Sequence, residues 1–281
     1  MGGLPDLGRT AVMGVVNVTP DSFSDSGLHF DVDAAIAHGL ALAADGADLV
    51  DVGGESTRPG AARIECAEEL RRVLPVVSAL SEAGLFVSID TMRAEVAAAA
   101  MRAGARLVND VSGGLADPAL PRLMADVGMP YVVMHWRGHS ADMYAHATYD
   151  DVVREVCGEL RTRVDAVMAA GVAPDAIVID PGIGFAKKAE HNWQLLAHLD
   201  ALVGLGFPVL VGASRKSFLG TLLATDAGPR DAVARDDATT AVTTLAAAAG
   251  VWGVRVHRAR PSADAVRVVA ETARHGWESG R

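Results

Sequence analysis

Gly84 to Ser112 reads GLFVSIDTMRAEVAAAAMRAGARLVNDVS and holds one complete structural unit. Its first apolar run, Leu85 to Thr91, is too short for a helix that must bury itself and is rich in Leu, Val and Ile. Near-continuous hydrophobicity, without strict alternation, marks a strand of a parallel sheet covered on both faces. Arg93 to Ala103 follows as an Ala-rich amphipathic helix, and Gly104 stands where a left-handed residue caps it. A second run of the same kind, Arg106 to Ser112, then begins.

The same unit recurs in both directions. The runs are Ala11 to Val18, Asp48 to Gly54, Leu85 to Thr91, Arg106 to Ser112, Pro130 to Trp136, Ala176 to Gly182, Pro208 to Ser214 and Gly253 to Arg258. Nearly every one stops at a polar residue: Asn17, Glu55, Asp90, Asn109, His135, Asp180, Ser214 and His257. Between them the helical segments are Val32 to Asp45, Ile64 to Ala83, Arg93 to Ala103, Pro118 to Val127, Tyr149 to Ala170, His191 to Leu205, Asp237 to Ala249 and Ser262 to His275. Gly46, Gly84, Gly104, Gly128, Gly171, Gly206 and Gly250 close helices, several just before the next strand. Eight units favour a closed α/β TIM barrel, (β/α)8, over a doubly wound open sheet, and the polar stops place its chemistry at one rim.

A chain of 281 residues suits one such barrel, which typically takes about 250. No composition break divides it, so residues 1–281 read as a single domain with 1–10 as a short N-terminal extension. Cys66 and Cys157 are the only cysteines, far apart, which argues against a disulfide framework or structural zinc. Met1 to Arg9 has no apolar leader core, and no run approaches a membrane span. The expectation is a soluble, cytoplasmic protein. A net charge of −10 speaks against a broad nucleic-acid or anionic-membrane surface, but a few local cations suffice for a phosphorylated small molecule.

Two strand-to-helix connections are longer than geometry demands: NVTPDSFSDSGLHFD (Asn17 to Asp31) and GGESTRPGAARIE (Gly53 to Glu65). Their Gly, Pro, Ser and Asp content suits solvated turns. Loops that follow barrel strands lie on the catalytic face, so they read as active-site loops.

Asp90, Asn109 and Asp180 each end an apolar run, and a carboxylate buried there is costly unless it meets donors. Any one alone reads as a barrel-end ion pair or cap. Together they suit a ligand edge with several N–H groups, such as a 2-amino-4-oxo pyrimidine, with ribityl or purine groups as others. The cations are Arg58, Arg215, Lys216, Arg255 and His257. Arg255 and His257 lie two apart and share a face, while Ser214, Arg215 and Lys216 follow the seventh run and precede a helix at Ser217. Loops after strands seven and eight bind phosphate in many barrels, so a phosphate or diphosphate ester is the natural partner. PGIGFAKK, with Gly182, Gly184 and Lys187, lacks P-loop spacing; His135 and His139 lack the glutamate of a zincin helix. A metal, if used, fits Mg2+ held with the substrate's phosphates.

With these segments the chain resembles the dihydropteroate synthases of the pterin-binding barrel family over nearly its whole length. The resemblance rests on MGVVNVTPDSFSDSG (Met13 to Gly27), DVGGESTRPG (Asp51 to Gly60), SIDT (Ser88 to Thr91), NDVSGG (Asn109 to Gly114), DPGIGF (Asp180 to Phe185), GASRKSFLG (Gly212 to Gly220) and RVH (Arg255 to His257). NVTPDSFSD and GGESTRPG are the most specific. Ser26 before Gly27, and Trp136 after His135, depart from the family's usual residues.

The resemblance implies transfer of a dihydropterin-methyl group from its diphosphate to the amine of p-aminobenzoate. It implies that Asp90, Asn109, Asp180 and Lys216 hold the pterin, with Met134, Phe185 and Gly212 near its faces. Asn17 would offer its carboxamide oxygen to Mg2+, and Arg255 and His257 would hold the diphosphate. Asp90, Lys216, Arg255 and His257 are thereby the expected catalytic residues. Thr57, Arg58 and Pro59, with Phe23 and Asp25, would close over the aminobenzoate in a pocket lined by Ser214 and Arg215, the one sulfonamides occupy in this family. The resemblance also implies a homodimer. The alternatives are a methyltetrahydrofolate-binding methyltransferase, which has no diphosphate to neutralise, a pterin-binding paralogue without synthase activity, which the intact candidate residues disfavour, and a Schiff-base lyase using Lys216.

Overall fold

The computed structural model describes residues 2–19, 32–56, 63–138 and 146–277. Strand β1 is Ala11–Asn17, followed by α1 Val32–Ala44, β2 Leu49–Gly53, α2 Cys66–Glu82, β3 Val87–Asp90 and α3 Ala94–Arg102. Then come β4 Leu107–Asp110, α4 Ala119–Val127, β5 Tyr131–Met134, α5 Val152–Ala169 and β6 Ile177–Asp180. Helices α6 Ala189–Ala197 and α7 Leu199–Val203, strand β7 Leu210–Val211, α8 Ser217–Leu222, α9 Asp236–Ala248, β8 Gly253–Val256 and α10 Ala259–Arg274 complete the chain.

All strand pairs are parallel, in the order β6-β5-β4-β3-β2-β1-β8-β7. A parallel bridge between Ile179 and Val209 joins the two end strands and closes the barrel. The Ile179 N–H donates to Pro208 O across that seam at 2.8 Å. Strand β7 is shorter than its run, because Pro208 has no N–H for the ladder. The expected helix over 191–205 is two helices, broken at His198, whose ψ of 42° leaves the helical range. Helix α10 starts before Pro261, which the first helical turn tolerates.

The period of two divides each strand. Val12, Val16, Val50, Val52, Val87, Ile89, Val108, Ile177 and Ile179 pack outward against the helices in the main core. Ala11, Met13, Leu49, Leu107, Val132, Val178 and Leu210 fill the lower barrel with Leu4 and Trp252. The N-terminal segment is therefore a floor for the barrel. It is pinned by a two-pronged Arg9–Asp48 pair at 2.7 Å and by Thr10 Oγ1 donating to Val251 O at 2.8 Å.

The seven expected helix-closing glycines have φ between 66° and 109°. At Gly104 this matters twice, since a Cβ there would also stand 2.1 Å from Ser81 Oγ. Among the described residues no helix is long and apolar enough to cross a membrane.

Candidate active site

Where the apolar filling ends, the inward positions turn polar. Asp51 of β2, fully buried, is the hub. Its Oδ1 accepts from Ser88 Oγ at 2.6 Å, and its Oδ2 accepts from Asn109 Nδ2 at 2.9 Å and Arg255 Nε at 2.6 Å. Arg255 donates its Nη2 to Asp90 Oδ2 at 2.8 Å. Because a carboxylate only accepts, Asn109 must turn its amide nitrogen toward Asp51 and keep Oδ1 for a ligand. The network thus presents an acceptor at Asn109, as a ligand edge rich in N–H requires.

Asp90 and Asp180 are both deeply buried. Burial pushes the Asp90 carboxyl up to about 7, against the pull of Arg255 and with a further push from Asp51. Burial likewise raises Asp180 to about 6, opposed by the bond from the Gly182 N–H to Oδ1 at 2.7 Å and by Lys216. Lys216 is drawn down to about 8 by burial and by Arg255, with Asp180 and Asp90 opposing. Its Nζ stands 3.8 Å from the Phe185 ring centroid. A Cβ on Gly212 would lie 3.9 Å from both Arg255 Cβ and Asp180 Oδ2, so this glycine leaves open the space between them. Met134 is buried at the end of β5. The expected pterin residues therefore gather at one end of the barrel.

The expected anion side is assembled from the loop after β7 and the end of β8. His257 Nδ1 lies 3.0 Å from Ser214 Oγ, which also accepts the His257 N–H at 3.2 Å. Burial, then the charges of Arg255, Arg215 and Lys216, drive the imidazole down to about 3, so it is neutral before an anion arrives. Arg215 adopts φ 59° and is clamped by Asp236 through Nε and Nη2 at 2.7 and 2.8 Å. Its charge is already matched, which the sequence did not reveal.

Other polar stops do other work. Glu55 holds Arg93 at 2.9 Å and Arg63 at 3.4 Å, bracing the second loop; Arg93 also pairs with Glu69. His135 leaves the barrel interior and meets Glu159 Oε2 at 2.9 Å. Asn17 ends β1 beside Gly53 in the ladder, at the same rim. Phe23, Asp25, Thr57, Arg58, Pro59 and His139 lie outside the described residues. Asp51, Ser88 and Asp236 were missed in the sequence, although a charge in mid-strand at Asp51 was itself a signal.

Among the described residues no three His, Cys, Asp or Glu side chains gather as a metal centre. Asn17 nevertheless offers a hard oxygen donor at the rim, which fits Mg2+ shared with phosphate oxygens and water.

The model of the family "Pterin binding enzyme" matches residues 13–257. The dihydropteroate synthase of Mycobacterium leprae is 55% identical over 265 residues, covering 94% of this chain and 93% of that protein. Dihydropteroate synthase from Xanthomonas albilineans with 4-aminobenzoic acid superposes with a TM-score of 0.86 at 46% identity, over 96% of this chain and 94% of that one. The same enzyme in complex with 7,8-dihydropteroate gives 0.85 at 42% identity, over 98% and 97%. With its fold, its rim of acids and cations and these likenesses in agreement, the chain belongs to the pterin binding enzyme family, among the dihydropteroate synthases.

Proposed function

We infer that the protein is a transferase of folate biosynthesis that moves the dihydropterin-6-ylmethyl group from its diphosphate ester to p-aminobenzoate. The observation that carries this is the continuous network Asn109–Asp51–Arg255–Asp90, joining an acceptor-rich edge to a cation. Asn109 Oδ1, Asp180 and Asp90 would take N–H groups of the pterin, Lys216 its carbonyl side, and Met134, Phe185 and Gly212 its faces. Arg255, His257 and Ser214 would receive the diphosphate.

The C–O bond to the diphosphate breaks with its electron pair leaving on pyrophosphate, and the methylene carries cationic charge. The buried carboxylates stabilise that charge, and preorganised Arg255 answers the charge on the leaving group. The aniline nitrogen then forms the C–N bond and loses its proton to pyrophosphate or water. An aniline is already nucleophilic, so no strong base is needed. Mg2+, bound by Asn17 and the diphosphate, would supply further neutralisation of the leaving group.

Thr57, Arg58, Pro59, Phe23 and Asp25, with Ser214 and Arg215, are proposed for the aminobenzoate side, and a sulfonamide that mimics p-aminobenzoate would compete there. Cytoplasmic location and a homodimer are part of the same proposal.

Purified protein with Mg2+, the dihydropterin diphosphate and p-aminobenzoate should yield dihydropteroate and pyrophosphate; no product would sink the assignment. Arg255→Ala should impair turnover of the diphosphate ester far more than binding of a diphosphate-free pterin.

A further inference from the structure

Lys187 is 2% exposed, yet among the described residues no carboxylate bonds its ammonium. Nζ instead meets His135 Nδ1 at 2.9 Å, Gly182 O at 3.1 Å and Phe185 O at 3.1 Å. Three N–H groups thus find three acceptors, the full capacity of an ammonium. A lysine only donates, so His135 Nδ1 carries the lone pair and its Nε2–H donates to Glu159 Oε2. Glu159 is held in turn by Arg137, whose guanidinium lies 3.9 Å from the Tyr149 ring centroid. Tyr149 Oη donates to Ala186 O at 3.0 Å. Three carbonyls of one turn, Gly182, Phe185 and Ala186, are therefore tied from behind, and Ala186 is kept at φ 48°.

That turn lies against Asp180 and Lys216. It bonds Asp180 through the Gly182 N–H, carries Phe185 beneath Lys216, and puts Gly184 against the Lys216 stem. We propose that Lys187 is a positioning residue of the pterin pocket, shaping the 182–186 turn and acting as the rear counter-charge of Asp180. The proposal rests on the pterin-transferring function inferred above.

Asp180 is faced by Lys216 after β7, by Arg255 of β8 and by Lys187 of its own loop. Burial draws Lys187 down to about 7, so it carries its charge in the acid range where Asp180 titrates; it is faced by Asp180 of β6, Arg137 after β5, Glu159 of α5, Lys216 and His135. Removing the rear charge raises the Asp180 pKa, so its acceptor form should be lost at a higher pH.

The test measures binding of 6-hydroxymethylpterin between pH 5 and 9, and steady-state kinetics for both substrates, in full-length Lys187→Met, Lys187→Arg and Glu159→Gln. Lys187→Met should weaken pterin binding about tenfold at pH 6 and move its acid limb to higher pH. The KM for p-aminobenzoate should stay within about twofold, the size of an uncoupled effect. Lys187→Arg, which keeps the charge, should restore the acid limb, and Glu159→Gln, in a half-exposed position, should give a smaller shift the same way. An unchanged acid limb in both Lys187→Met and Glu159→Gln, or equal losses for both substrates, would overturn the proposal. Failure of the unaltered protein to bind the pterin would overturn the functional reading beneath it.

Discussion

At the scale of single residues, Asp51 decides most. One carboxylate takes a hydroxyl, an amide and a guanidinium, and so orients the Asn109 side chain and a cation together. Asp51→Ala should cost about 3 to 5 kcal/mol, as it takes the shared acceptor from buried Ser88 and Asn109 and leaves the Arg255 guanidinium with Asp90 alone. It should also lower kcat/KM for the pterin substrate by at least about a hundredfold, from lost preorganisation; urea unfolding and initial rates check both. Native-like stability would remove its assigned role. The pH dependence has two limbs. Asp90, raised to about 7, and Asp180, raised to about 6, lose their charge as pH falls, and Lys216, lowered to about 8, loses its charge as pH rises. On the proposed pterin-binding roles these charged forms act together, so kcat/KM should be bell-shaped, falling below about 7 and above about 8. Lys216→Ala should weaken pterin binding and abolish the alkaline limb.

Among the elements, two glycines separate pocket shape from packing. Gly184, at φ 79°, has room for no Cβ, which would sit 2.8 Å from Lys216 Cδ. Gly184→Ala should raise the pterin KM about tenfold or more by displacing that lysine, with little change in the p-aminobenzoate KM. Gly104 lies far from the rim, between α3 and β4, against Ser81 of α2. Gly104→Ala should cost about 2 to 4 kcal/mol through strain and overpacking, with both KM values unchanged. A KM effect at Gly104, or none at Gly184, would contradict this division. The elements themselves were legible: all eight runs became strands, because a short Val- and Ile-rich segment bounded by glycine has few other ways to bury itself. The break at His198 was not legible, because 191–205 keeps an apolar helical face across it.

In the molecule as a whole, the floor and the mouth of the barrel have separate tasks. Leu4 and Leu7 close the bottom with Met13, Leu49 and Trp252, remote from the strand ends that carry the acids. Deleting residues 2–8 should lower stability by about 2 to 4 kcal/mol, the transfer cost of two half-to-fully buried leucines, while the remaining folded protein keeps its KM values. A thermal or urea melt together with kinetics would check it, and a change confined to KM would contradict it.

Local periodicity alone told which segments are strands, which are helices, that Asp90, Asn109 and Asp180 end apolar runs, and that Arg255 and His257 share a face, because alternation of side chains is a property of the strand itself. It could not tell which polar groups meet. Asp51 and Arg255 are separated by 204 positions and become partners only because β1 pairs with both β2 and β8 in the closed barrel. The clamping of Arg215 by Asp236, the turning of His135 away from the mouth and the burial of Lys187 were likewise settled by packing. A side chain's partner depends on which strand and helix lie beside it, and that is a fact of closure rather than of sequence.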